Sequence, residues 1–161
     1  MNLAAEAPHW LALIFAGLLI AAAVQDALEA RMSNLLVLLL IAGAAVAAIV
    51  VGLQVELWEN LAVFAALLAV GTALFARGIL GGGDVKVLAA ASLWFSIAGA
   101  GQMLFATVLS GGVLALLVLG ARLVKWGEAA QRRLPFLRPK AGVPYGIAIA
   151  AGALIAMALQ R

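Results

Sequence analysis

The stretch of sequence that decides the fold is LLVLLLIAGAAVAAIVVGL, residues 35–53. It contains no ionisable side chain, and its 19 residues match the roughly 20 that an α-helix needs to cross a bilayer. Five more apolar runs occur, at residues 10–24, 61–76, 87–98, 103–120 and 145–159. The pattern predicts an all-α, polytopic membrane helix bundle of about six transmembrane helices.

The composition of the whole chain indicates the same class. Of its 161 residues, 67% are hydrophobic and 11% are charged, and the mean hydropathy is +1.20. A soluble domain of this length has no interior large enough for so much apolar surface. Six spans also use up the available length, so we expect a single integral-membrane domain over residues 1–161.

Several kinds of chemistry are excluded by residue types that the chain lacks. With no cysteine it has no disulfide framework, zinc ribbon or thiol nucleophile, and its single histidine, His9, cannot form a metal-binding cluster. We therefore expect no metal and no cofactor. The basic residues lie in short gaps between apolar runs, a pattern that sets membrane orientation and does not indicate nucleic-acid binding.

The positive charges predict the orientation, because cytoplasmic loops carry an excess of Lys and Arg. Nine of the ten fall in alternate gaps, around residues 26–34, 77–86 and 121–144. They are Arg31, Arg77, Lys86, Arg122, Lys125, Arg132, Arg133, Arg138 and Lys140. We expect these gaps in the cytoplasm and both termini outside.

Two boundaries require a choice. The first run could be a cleaved signal peptide, since residues 21–23 are small, but it lacks a positive n-region and we expect the first helix to be retained. Residues 87–98 and 103–120 are assigned to two helices joined by a tight turn at Gly99-Ala100-Gly101.

Tryptophans are expected in belts at the membrane interfaces. They are Trp10, Trp58, Trp94 and Trp126.

The chain has two aspartates, Asp26 and Asp84, and the predicted topology puts both at the cytoplasmic boundary of the membrane. Taken singly, Asp84 is explained as a helix N-cap and Asp26 as a solvated acid. As a pair that shares a site, two carboxylates can divide their protonation states, one ionised to activate water and one protonated to donate to a carbonyl. The pair therefore predicts peptide hydrolysis by an aspartate dyad.

Three glycines, Gly81, Gly82 and Gly83, precede Asp84 and let an extended peptide approach the backbone closely. Two other classes of protein compete with a peptidase. A small proton-coupled membrane transporter that uses Asp26 and Asp84 needs its acids near the bilayer midplane. A structural subunit without chemistry leaves the same-side aspartates unexplained.

The residues around both aspartates resemble a known family. Gly81-x-Gly83-Asp84, followed by Val85-Lys86, resembles the GxGD signature of intramembrane aspartyl proteases, in the GxGDxK form of the type IV prepilin peptidases. Asp26, followed by Arg31 and Asn34, is similar to the first motif of that family. The chain lacks cysteine and has only a short gap between its first two runs. In both respects it resembles the short, peptidase-only branch of the family, which serves Flp-type, tight-adherence pili.

Near the C-terminus, Gly142-Val-Pro144-Tyr145-Gly146 resembles the family's Pro-containing approach to the last helix, whereas Ser33 stands where the family often has proline. The resemblance implies a hydrolase of pilus biogenesis, an aspartic endopeptidase that removes the short basic leader of type IV or Flp prepilins, after a glycine. Cleavage would occur at the cytoplasmic face of a bacterial inner membrane, with the prepilin and the lipid bilayer as partners and the oligomeric state open.

The resemblance also implies the site. Asp26 and Asp84 are the expected catalytic pair, and the expected supporting or substrate-binding residues are Gly81, Gly82, Gly83, Lys86, Arg31 and Asn34. Helix dipoles favour a carboxylate on Asp84, which begins a helix, and a neutral acid on Asp26, which ends one. We therefore expect Asp26 to hold the shared proton.

Overall fold

The computed structural model describes residues 1–124, 126–138 and 141–161, with only the backbone described at Ala129 and Arg132. Two of the predicted topology charges, Lys125 and Lys140, lie outside the described residues. Within the described part of the chain all regular structure is helical, which confirms the predicted class. The helices are α1 (Leu3–Glu6), α2 (His9–Glu29), α3 (Asn34–Val51), α4 (Leu57–Ala76), α5 (Gly82–Ser92), α6 (Ile97–Arg122), α7 (Glu128–Arg133), a 3₁₀ turn (Pro135–Leu137) and α8 (Tyr145–Gln160).

The six apolar runs correspond to α2, α3, α4, α5, α6 and α8. Four of these helices, α2, α3, α4 and α6, are long and apolar enough to cross a membrane. The other two are shorter: α8 has 16 residues and α5 has 11. The protein is thus a polytopic membrane helix bundle, in which α8 packs against α6 and α2, and α5 packs against α4 and α3.

The turn between α5 and α6 lies at residues 93–96, so the predicted turn at Gly99-Ala100-Gly101 is wrong. Ser96 caps α6 by accepting a 3.3 Å hydrogen bond from the Gly99 N–H, and all three predicted turn residues are helical. The chain turns earlier because Trp94 and Phe95, both fully buried, are drawn into the core.

The sequence also predicted Trp94 as a belt residue at the membrane interface, and this prediction is wrong. Its ring stacks on Phe15 with a centroid separation of 4.3 Å, and its Nε1–H donates to the Leu40 carbonyl at 3.0 Å. Gly43 lies against the same ring, and a Cβ there would come within 2.9 Å of it. Trp94 can be buried because its one polar group, the indole N–H, makes a hydrogen bond to a backbone carbonyl inside the bundle.

Small residues let the helices approach closely, as is usual in membrane bundles. At Gly152 in α8, a Cβ would lie 2.5 Å from the backbone nitrogen of Thr107 in α6. At Gly71 in α4, a Cβ would collide with Val85 in α5. Any side chain at either glycine would push two helices apart.

The two ends of the bundle differ. At one end the C-terminus is tied to the N-terminal segment, because the Arg161 guanidinium donates to the carbonyls of Ala4 and Ala7 at 2.8 Å. At the other end, the segments that follow α2, precede α5 and precede α8 line common cavities. The three basic gaps of the sequence therefore meet at one end, with the termini at the opposite one.

Candidate active site

Asp26 lies in the last turn of α2, which continues to Glu29, and is thus helical where the sequence predicted the start of a loop. The helix ends at Ala30, whose positive φ of 51° reverses the chain. The half-buried Asp26 side chain accepts a 2.8 Å hydrogen bond at Oδ2 from the backbone N–H of Gly146, in the first turn of α8.

Asp84 is the third residue of α5, whose N-cap is Gly81. The predicted N-cap role of Asp84 is therefore wrong by three positions. From this place its carboxylate reaches back and accepts a hydrogen bond from the Gly81 N–H, as the acid of a capping box does. A Cβ on Gly81 would lie 2.6 Å from Asp84 Oδ2, so the glycine makes the close approach possible.

The two aspartates line the same two cavities. The first, which we call the polar cleft, has a volume of about 440 Å³ and is bordered by residues 78–81 and 141–145. The second, which we call the cationic cavity, has a volume of about 340 Å³ and also contains Arg31 and Lys86. The fold thus brings together Asp26 and Asp84, which are 58 positions apart in the chain.

The other predicted site residues surround the pair. Gly81, Gly82, Gly83, Arg31, Asn34 and Lys86 all line the cationic cavity. The Lys86 side chain contacts α3: its Nζ donates a 3.0 Å hydrogen bond to Asn34 Oδ1. This bond joins the start of α5 to the start of α3. This contact gives Lys86 a structural role at the start of α5.

Burial raises the pKa of Asp84 to about 6, and the nearby Asp26 carboxylate raises it as well, while the Gly81 hydrogen bond lowers it. The pKa of Asp84 is therefore shifted in the direction opposite to the one that the helix dipole alone predicts. Desolvation outweighs the helix dipole here, and the nearby Lys86 ammonium donates its hydrogen bond to Asn34. Two interacting carboxyl groups nevertheless titrate as a pair.

Met32 and Gly146 are site residues that sequence reasoning missed. A Cβ on Gly146 would collide with Met32 and would lie 2.9 Å from Asp26 Cβ, and a Cβ on Gly83 would lie 2.9 Å from Met32 Cβ. Met32 therefore fills the space between the two glycines. The only sequence signal for Gly146 was its place after Pro144-Tyr145, because a contact 120 positions away leaves no local pattern.

The arrangement offers carboxylates, backbone amides and space for a peptide. Among the residues that the structure describes, no group of three His, Asp or Glu side chains could hold a metal ion. What the site can do with its own residues is acid–base chemistry between two carboxyl groups, beside a glycine-rich backbone that a substrate can approach.

Comparison with known proteins identifies the family. Comparisons with curated proteins and with solved structures return no match. The model of the type IV leader peptidase family matches residues 13–116, from within α2 to within α6. The matched region covers more than half of the chain and includes both aspartates, with the GxGD motif at the start of α5. By this match, the chain belongs to the type IV leader peptidase family.

Proposed function

We propose that this leader peptidase is an aspartic endopeptidase whose catalytic residues are Asp26 and Asp84. The observation that carries the proposal is that both carboxyl groups line the same cavities at the end of the bundle where the basic gaps meet. The transporter hypothesis is less favoured, since the family match is to peptidases and the aspartates lie at helix ends.

The raised pKa of Asp84 supports a division of roles within the pair. Asp84 holds the shared proton and donates it to the oxygen of the scissile carbonyl, while the Asp26 carboxylate takes a proton from the attacking water. The water oxygen bonds to the carbonyl carbon and forms a tetrahedral intermediate. Asp26 then returns its proton to the leaving nitrogen as the C–N bond breaks, and Asp84 regains its own from the hydroxyl of the intermediate.

The hydrogen bond from Gly146 fits the role of Asp26 as the base. The amide stabilises negative charge on Oδ2 and leaves Oδ1 to face the water. On Asp84, the Gly81 amide holds one oxygen in place, so that the other is free to donate.

For the substrate we propose a type IV or Flp prepilin with a short basic leader, cleaved after a glycine at the cytoplasmic face of a bacterial inner membrane. Nine of the ten Lys and Arg belong to the gaps at the end that carries the aspartates, which supports a cytoplasmic site. The absence of cysteine and the four residues between α2 and α3 support the short, peptidase-only branch.

The test is processing of a defined substrate. The chain is co-expressed with a Flp-type pilin precursor, and the pilin N-terminus is determined by mass spectrometry. We expect a shortened pilin whose new N-terminus follows the leader glycine, and no shortening when that glycine is replaced by leucine. An intact precursor beside a membrane-inserted wild-type chain would contradict the proposed function.

A further inference from the structure

A third cavity, with a volume of about 350 Å³, lies between α5, α6 and α8. We call it the apolar cavity, because most of its lining is aliphatic or glycine. Its lining includes Leu80, Asp84, Leu88, Val108, Gly112 and Tyr145. An apolar cavity of roughly 150 Å³ is enough to bind a benzene ring, so this one has room for a large side chain.

The apolar cavity adjoins the catalytic region. Leu80, Asp84 and Tyr145 line both the apolar cavity and the polar cleft that contains Asp26. Asp84 therefore stands at the boundary between an apolar compartment among the helices and a polar compartment among the loops. A peptide whose scissile bond lies at the two aspartates would extend into both.

Charge indicates which part of the substrate enters which compartment. The charged side chains in the described lining of the polar cleft are Asp26 and Asp84, so this cleft suits a basic segment. The cationic cavity shares these two aspartates and adds Arg31 and Lys86, so the charges of its lining cancel and it attracts a basic segment less. The basic leader precedes the scissile bond and the apolar helix follows it, so the apolar cavity is left for the residues after the bond.

We propose that the apolar cavity is a specificity subsite that binds the apolar side chain of the residue immediately after the scissile bond. This inference rests on the proposed function, since it assumes a prepilin substrate at Asp26 and Asp84. The size of the cavity assigns it a bulky aliphatic or aromatic side chain in preference to a small one.

Gly112 in α6 offers a direct way to fill this subsite. It lines the cavity, and a Cβ there would meet no atom within 4 Å, so a side chain can start from this position without displacing the backbone. Gly120, in the same helix, also has nothing within 4 Å of its Cβ position and does not line the cavity. Gly112→Leu and Gly120→Leu are therefore a matched pair.

The experiment measures processing of two pilin precursors, with Phe or Ala after the leader glycine. We expect Gly112→Leu to slow cleavage of the Phe precursor by about tenfold or more and that of the Ala precursor by about twofold at most. Gly120→Leu should cleave both precursors as wild type does. Val108→Phe narrows the same cavity from another position and should repeat the selective loss, with Val113→Phe as its control.

The possible outcomes distinguish a failure of the subsite proposal from a failure of the proposed peptidase function. An equal effect of Gly112→Leu on both precursors, or equal behaviour of Gly112→Leu and Gly120→Leu, would overturn the subsite and leave the peptidase intact. A wild-type chain that cleaves neither precursor would overturn the proposed function, and the subsite with it.

Discussion

The backbone N–H of Gly146 donates a 2.8 Å hydrogen bond to Asp26 Oδ2, and so connects the first turn of α8 to the last turn of α2. The family match ends at residue 116 and does not include α8. One half of the proposed dyad is thus oriented by a helix outside the matched region.

Gly146→Ala should reduce leader processing by about tenfold or more. The added Cβ would lie 2.9 Å from Asp26 Cβ and would collide with Met32, so the carboxylate has to move from its position. Gly142→Ala is the control in the same segment, since nothing lies within 4 Å of its Cβ position. Equal activity of the two variants, measured on one pilin precursor, would show that this contact does not position Asp26.

Asp84→Asn should stabilise the folded protein at pH 7.5 by about 1 kcal/mol. Folding raises the pKa of Asp84 from 3.8 to about 6, so it favours the protonated form. The stabilisation from Asp84 is complete below pH 3.8 and is lost as the pH rises through about 6. The neutral amide avoids this loss. In thermal unfolding in detergent, the variant should have a higher Tm than the wild type, and this difference should shrink between pH 7.5 and pH 4. A difference that stays constant would contradict the raised pKa.

Lys86 and Asn34 should act as one unit. Their 3.0 Å hydrogen bond joins α5 to α3 beside the GxGD motif, and breaking it loosens the position of Asp84. Lys86→Met and Asn34→Ala should each lower processing by about two- to fivefold, and the double variant by no more than the worse single one. Multiplied effects in the double variant would mean that the two side chains act separately.

The proposed cytoplasmic placement of the site can be tested in a chain without native cysteine. Glu29→Cys introduces a thiol at the end of α2, beside the aspartates. Val55→Cys introduces one at the opposite end of the bundle, between α3 and α4. A membrane-impermeant thiol reagent should label residue 55 in intact cells, and residue 29 only after permeabilisation. The reverse pattern would place the aspartates outside the cytoplasm.

The sequence predicts the helices of this protein well because most of the apolar runs are long and the gaps between the runs carry nearly all the charge. It also predicts the aspartate pair, since the alternation of gaps brings residues 26 and 84 to one end. It fails at Trp94, where hydropathy cannot distinguish an aromatic ring in the core from one at the interface. The turn at residues 93–96 follows from that burial and was missed with it.

Other parts of the site depend on contacts that have no local pattern. The contact between Gly146 and Asp26 joins residues 120 positions apart, and Met32 is an unremarkable loop residue until two glycines pack against it. The pKa of Asp84 was misjudged for a similar reason. The helix dipole is visible in the sequence, whereas the burial that opposes it appears only when the helices are assembled.

The most direct test of the account is leader cleavage by single-aspartate variants. Asp26→Asn and Asp84→Asn are each co-expressed with a Flp-type pilin precursor, with Glu29→Gln as a control acid near the end of α2. The account predicts that each aspartate variant stays in the membrane and loses processing by about a hundredfold or more, because one carboxyl group cannot be acid and base in the same step. The control should cleave normally. Substantial cleavage by either Asp26→Asn or Asp84→Asn would contradict the dyad.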